Sequence, residues 1–97
     1  MRRRFRLTRS TDFQRVRREG KSYAHPLLIL IVGWAEAARS HPRCGVAAGK
    51  NLGGAVVRNR LKRRLRAALR PVLPALPPGV DLLCIARAPM RDAGQAQ

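Results

Sequence analysis

The sequence predicts a small α+β fold in one domain, and three observations carry that prediction. Apolar runs at 27–35, 44–49 and 80–88 ("LLILIVGWA", "CGVAAG", "VDLLCIARA") are short and bounded by Gly, Pro and polar residues, as strands are. Two other segments, near the N-terminus and at 55–70, repeat apolar residues at helical spacing. The chain has 97 residues, 45% of them hydrophobic, enough for one modest core and not for two.

Taken in order, residues 1–9 read as a basic arm. "STDFQRVRREGKS" (10–22) reads as a short helix, with Thr11 and Gln14 as a capping box and Gly20 just past its end. Phe13 and Val16 share its apolar face. "SYAHPLLILIVGWAE" (22–36) reads as one long strand, covered on both faces in its apolar half, with Pro26 marking a bend, bulge or edge. "AARSHPR" (37–43) is a loop and "CGVAAG" a second buried strand, so these two strands are expected to form a hairpin. "KNLGG" (50–54) is a turn. A helix follows from about 55 to 70, stopped by Pro71. The four prolines of "PVLPALPPG" (71–79) make a stiff connection to a third strand. The last residues, 90–97, read as frayed.

Charge is the abnormal feature. Lys plus Arg is 21 against 5 Asp plus Glu, a net +16. Self-repulsion of that order favours a polyanionic partner. All but Lys21, Lys50 and Lys62 of these cations are Arg, whose planar fork matches phosphate and stacks on bases. Seven cations fall between 58 and 70, and "GGAVVRNRLKRRLRAALRP" (53–71) contains no acid. At about 100° per residue, Val57, Leu61, Leu65, Ala68 and Val72 fall within an arc of about 80°, with Leu69 beside them. Lys62, Arg63, Arg66 and Arg70 lie opposite, and Arg58 and Arg64 flank the stripe. Like charges four residues apart, such as Arg58, Lys62 and Arg66, disfavour the helix, and cations near its start oppose the helix dipole. Such a face, kept without an acid to relieve it, points to an anionic partner. The free N–H groups after "KNLGG" add a phosphate-sized site beside Lys50 and Arg58.

Other function classes find little support. His25 and His41 have no paired carboxylate, Ser or Cys arrangement, and the five acids are scattered, so neither protein catalysis nor a protein metal site is indicated. Cys44 and Cys84 lie in apolar stretches and read as buried thiols of a reducing, cytoplasmic compartment. The basic N-terminus leads into no apolar signal region, and the longest apolar run is too short to span a bilayer.

"AVVRNRLKRRLR" (55–66) resembles the arginine-asparagine-arginine signature of the bacterial ribonuclease P protein component family. "RLTRSTDFQRVRREGKSYAHPLLIL" (6–30), "RCGVAAGKNLGGAVVRNRLKRRLR" (43–66) and "GVDLLCIARAP" (79–89) resemble that family's first helix and strand, its second strand with the basic helix, and its late strand. The four segments occur in the family's order and cover residues 6 to about 90.

The resemblance implies a small two-layer α/β sandwich, with a mostly antiparallel central sheet and a left-handed βαβ crossover around the basic helix, an exception to the usual hand. It implies a protein that binds a catalytic RNA and assists Mg²⁺-dependent removal of the 5′ leader from precursor tRNA. The Mg²⁺ is held mainly by the RNA, no side chain is catalytic, and neither a membrane nor an obligate protein partner is needed. Carried over by position, Lys50, Arg58, Asn59, Arg60, Lys62, Arg63 and Arg66 contact the catalytic RNA, and Phe13, Arg17, Ile29 and Ile31 the leader. Arg17 and Ile31 stand where the family often has aromatics, and Asn51 and Gly54 where it commonly has Lys and Asn. The family's C-terminal helix is not visible after Arg91. The principal alternative is a structural RNA-binding protein of ribosomal type, which charge and size fit equally well.

Overall fold

A computed structural model describes residues 6–7, 10–34 and 41–95 of the chain, with side chains as far as Arg91. In chain order come α1 (Ser10–Glu19), β1 (Lys21–Ala24), β2 (Leu28–Trp34), β3 (Arg43–Ala48), α2 (Ala55–Leu69), β4 (Val80–Ala86) and α3 (Ala88–Gln95). Short 3₁₀ turns at Lys50–Leu52 and Leu73–Ala75 precede and follow α2. The four strands form one sheet in the order β1-β2-β4-β3. β1/β2 and β2/β4 are antiparallel and β3/β4 is parallel, so the sheet is mostly antiparallel as expected.

The expected long strand over 22–36 is two strands. The turn at 25–27 breaks it, where His25 N–H donates to the Leu28 carbonyl and Leu27 N–H to His25 Nδ1. Pro26 has no N–H for a ladder, and the chain reverses there. The resulting hairpin is β1/β2, with Tyr23 opposite Leu30. The hairpin expected between the long strand and 44–49 does not form. β4 lies between β2 and β3 instead, and α2 supplies the long crossover a parallel β3/β4 pair requires. β4 takes the centre because it is buried along nearly its whole length, whereas all four residues of β1 are exposed at the edge.

Strand alternation divides the core between two faces. Ile29 and Ile31 of β2 and Leu83 and Ile85 of β4 meet Phe13 and Val16 of α1, together with Leu7. On the other face Val46, Ala48, Cys84 and Ala86 meet Leu61 and Leu65 of α2 and Met90 of α3. Cys44, Leu82 and Val80 continue that face toward Leu69 and Leu73. The helix-on-sheet sandwich is therefore as expected on the α2 face, and α1 adds partial cover on the other.

Local expectations fare unevenly. Thr11 lies inside the first turn of α1 and is not its cap, because the helix begins at Ser10. Gly20 does end α1, for reasons of space: a Cβ there would lie 2.5 Å from the Val16 carbonyl oxygen and 2.7 Å from Ile31 Cγ2. In the turn before α2, Gly53 holds φ at 138°, a value side chains strain to adopt. The α2 stripe is centred differently from the arithmetic. Leu61 and Leu65 are buried, but Ala68 is exposed and Val72 is 46% exposed. The helix stops at Leu69, so Val72 no longer follows helical spacing and Leu73 is buried in its place.

Parts of both chain ends carry described structure. Within residues 90–97, expected to fray, α3 reaches Gln95 and Met90 is buried, with its carbonyl accepting from Arg64 Nη1. Leu7, inside the expected arm, is 3% exposed, and its N–H donates to the Cys44 carbonyl. The rest of the arm, apart from Arg6, and 37–40 of the expected loop lie outside the described residues. Both cysteines are buried and neither is in a disulfide, as expected. Burial pushes the Cys44 thiol up to about 11 and the Cys84 thiol to about 12.

Candidate nucleic-acid interface

The sequence of α2 separates core from solvent around a single helix. Leu61 and Leu65 anchor it to the sheet, while Asn59, Arg60, Arg63 and Arg70 are exposed. Arg58, Lys62 and Arg66 form one row at four-residue spacing and are half-buried along the edge of the apolar stripe. Arg58 Nε is shielded from solvent and has no hydrogen-bond partner in the structure. An arginine nitrogen held dry and unpaired is disfavoured alone and satisfied by an incoming acceptor. The helix N-terminus repeats this: Gly54 gives no side-chain cap, and the first turn contains no acid. The face thus offers cations and unsatisfied N–H donors together, which suits phosphate.

A second concavity lies at the C-terminal ends of β3 and β4. It is a groove of about 440 Å³ that draws Arg17 from α1 and Arg87 and Ala88 from the segment beyond β4. Consecutive residues of each strand, Ala47 with Ala48 and Ile85 with Ala86, line it, so it wraps around the strand ends and takes residues from both faces of the sheet. Register explains the grouping: Ile85 pairs with both Ile29 and Ala47, making one row across three strands. The 3₁₀ turn closes the groove's end with Asn51 and Leu52, and Lys50 of the same turn is exposed. That turn leads directly into α2, so groove and cationic helix are joined by one short segment.

The expected leader residues separate into two kinds of position. Arg17 is exposed and lines the groove. Phe13 is half-buried and leans on Gly45, where a Cβ would come within 2.6 Å of the ring. Ile29 is half-buried in the same row as Ile85, whereas Ile31 is only 6% exposed, beneath α1. Ile31 therefore belongs to the core under α1 and does not line the groove. Sequence reasoning missed Ala47, Asn51, Ile85 and Arg87. The alternation of β3 and β4 carried a signal for the first and third, but only the register brings them to Ile29. Arg87 lies just past β4 and is itself held by its Nη1 donating to the His25 carbonyl.

Among the described residues, no group of three or more His, Cys, Asp or Glu is placed to hold a metal, and no helix is long and apolar enough to cross a membrane.

Comparison with known proteins agrees with this geometry. A family model described as Ribonuclease P matches residues 1–97. The ribonuclease P protein component of Chloroflexus aurantiacus is 47% identical over 89 residues, which cover 92% of this chain and 64% of that protein. The chain thus spans less than two-thirds of that relative's length. The corresponding protein of Herpetosiphon aurantiacus is 46% identical over 97 residues, covering 100% of this chain and 77% of its own. Among solved structures, the RNase P protein of Staphylococcus aureus superposes with a TM-score of 0.78 at 32% identity, covering 91% of this chain and 79% of that one. The Thermotoga maritima protein gives 0.79 at 26% identity, covering 95% and 82%.

Proposed function

The chain belongs to the ribonuclease P protein family, and on that premise we propose that it serves as the protein subunit of a ribonuclease P ribonucleoprotein. It binds the catalytic RNA through α2 and the single-stranded 5′ leader of precursor tRNA through the groove beside α1. The assisted reaction is Mg²⁺-dependent endonucleolytic removal of the leader, in the cytoplasm, to leave the mature tRNA 5′ end. The observation that carries this reading is the acid-free cationic face of α2, kept on a helix whose other face is core.

Each surface has a distinct physical task. Arg58, Asn59, Arg60, Lys62, Arg63, Arg66 and Lys50 neutralise phosphate where two RNAs are brought together, and so lower the Mg²⁺ concentration assembly requires. The groove grips an extended strand through Arg17 and Arg87 and the apolar residues between them, with Phe13 packed nearby on Gly45. A base stacked on an aromatic or guanidinium plane is worth ~1–3 kcal/mol, enough to favour precursor over mature tRNA. The described side chains do not fit a Mg²⁺ site: Asp12 and Asp81 are brought together, but both are engaged by arginines. In this reading the protein holds and orients RNA, and the Mg²⁺ is assigned to the RNA.

The test is cleavage of precursor tRNA at low Mg²⁺ by the catalytic RNA of the same organism, with and without the protein. Cleavage at the correct 5′ end that depends on the protein is expected. A folded, RNA-bound protein that gives no stimulation would transfer the case to a structural RNA-binding role.

A further inference from the structure

α1 meets the sheet through one buried polar cluster drawn from three elements. Asp81 of β4 is wholly buried, and each of its carboxylate oxygens meets an arginine. Oδ2 lies 2.6 Å from Arg15 Nη2 of α1, and Oδ1 lies 3.4 Å from Arg43 Nε of β3. Arg15 Nη1 donates to the Trp34 carbonyl at the end of β2, at 2.7 Å. Asp12, one turn earlier on α1, completes the cluster at 3.6 Å from Arg15 and 3.7 Å from Arg43. Two carboxylates and two guanidiniums balance each other in charge. A chain with only five acids places two of them here.

Holding a helix to a sheet does not require ions, since well-packed apolar residues of similar volume do it at least as well. The ionic arrangement adds direction. Apolar contact is non-directional and leaves a helix free to roll, whereas a planar guanidinium with donors in a fixed fork admits one orientation. Arg15 and Arg17 lie about 200° apart around the helix axis. The roll that seats Arg15 on Asp81 therefore turns Arg17 to the other side, where it lines the groove. The same roll lays Phe13 on Gly45.

We infer that Arg15, fixed by Asp81 and the Trp34 carbonyl, is a positioning residue for the groove: it sets the roll of α1 and so the presentation of Arg17 and Phe13 to single-stranded RNA. This rests on the leader-binding reading above. Asp12 and Arg43 steady the same contact from the outside.

The full chain, assembled with its catalytic RNA, decides the matter through Arg15→Met, Arg15→Lys, Arg17→Ala and the Arg15→Met/Arg17→Ala pair. Two quantities are read: amide exchange along α1, and the affinity ratio for precursor over mature tRNA. Arg15→Met is expected to speed exchange in α1 relative to α2 and to lower the ratio about tenfold, with Arg15→Lys recovering part of both. In the Arg17→Ala background Arg15→Met should change the ratio less than it does in the wild type, because one of the two residues it presents is already removed. Fully additive losses, or an unchanged ratio with α1 exchange accelerated, would overturn the inference. If Arg15→Met does not fold, Arg15→Lys and the more exposed Asp12→Asn carry the same two readouts. A wild-type ratio of one would sink the leader-binding reading instead, and α1 exchange would still decide whether Arg15 fixes the helix.

Discussion

The two faces of the sheet build the proposed RNA-binding surfaces by opposite means. On the α2 face one helix supplies almost everything: an apolar stripe to the core and seven cations between 58 and 70. On the α1 face nothing is local. The groove takes residues from α1, β3, β4 and the 3₁₀ turn, and its helix is held by a polar cluster that reaches across three strands. The first surface depends on the charge of its side chains and tolerates small displacements. The second depends on where backbone elements sit, so it is sensitive to changes far from the RNA.

The largest expected effect breaks the positional face. Asp81→Ala removes both oxygens that meet Arg15 and Arg43 and leaves two partly buried guanidiniums with only the more exposed Asp12 beside them. Removing one partner of a buried ion pair costs ~3–5 kcal/mol, and a urea unfolding curve should show a loss of that order. In any fraction that stays folded, α2 should still bind catalytic RNA, because its contacts to β3 and β4 lie on the other face. Loss of catalytic-RNA binding in step with loss of precursor preference would mean that the faces are not separable.

The converse experiment acts on charge alone. Arg58→Ala with Arg60→Ala should leave unfolding nearly unchanged, since neither residue forms the buried core. Binding to catalytic RNA should weaken, by about 1.5–3 kcal/mol for each charged hydrogen bond lost. The dependence of log K on log salt should flatten by roughly 0.7–0.9 for each phosphate contact removed. A weaker affinity with an unchanged salt slope would mean that these arginines do not meet phosphate.

Phe13→Ala probes a residue that packs on the core and is proposed to face the leader. Its ring is half-buried against Leu7 and Leu83 and leans on Gly45. Truncation should destabilise the protein by about 1–3 kcal/mol, less than a fully buried phenylalanine. It should also reduce the preference for precursor over mature tRNA. An equal loss for both tRNAs would assign Phe13 to the core alone.

The contrast between faces is also a contrast in what a sequence displays. The cationic helix was legible because its pattern is local and acid-free. Only its C-terminal stripe was misread, where the helix stops and Leu73 replaces Val72. Pro26 was legible as an interruption, but whether a proline bends one strand or separates two depends on the partner that pairs afterwards. The parallel β3/β4 pair and the row Ile29–Ile85–Ala47 depend on register between strands distant in sequence. Asp12, Arg15, Arg43 and Asp81 meet only once that register exists, and nothing in their spacing announces it.

The smallest effect concerns the chemistry inside the α2 face. Cys44 and Cys84 lie on the side of the sheet that packs against α2 and the segment following it, and burial pushes their thiols up to about 11 and about 12. Unfolded, both ionise near 9.0. A thiol whose folded value is raised is protonated in both states below pH 9, and its full contribution to stability is present there. Above pH 9 the unfolded chain releases these protons while the folded one retains them, so stability falls as pH rises. The loss builds to roughly a few kcal/mol as the folded values are approached. Chemical denaturation at successive pH values from 8 upward should show that slope, and Cys44→Ala with Cys84→Ala should flatten it. A slope that persists in the double variant would place the alkaline sensitivity in groups other than these two thiols.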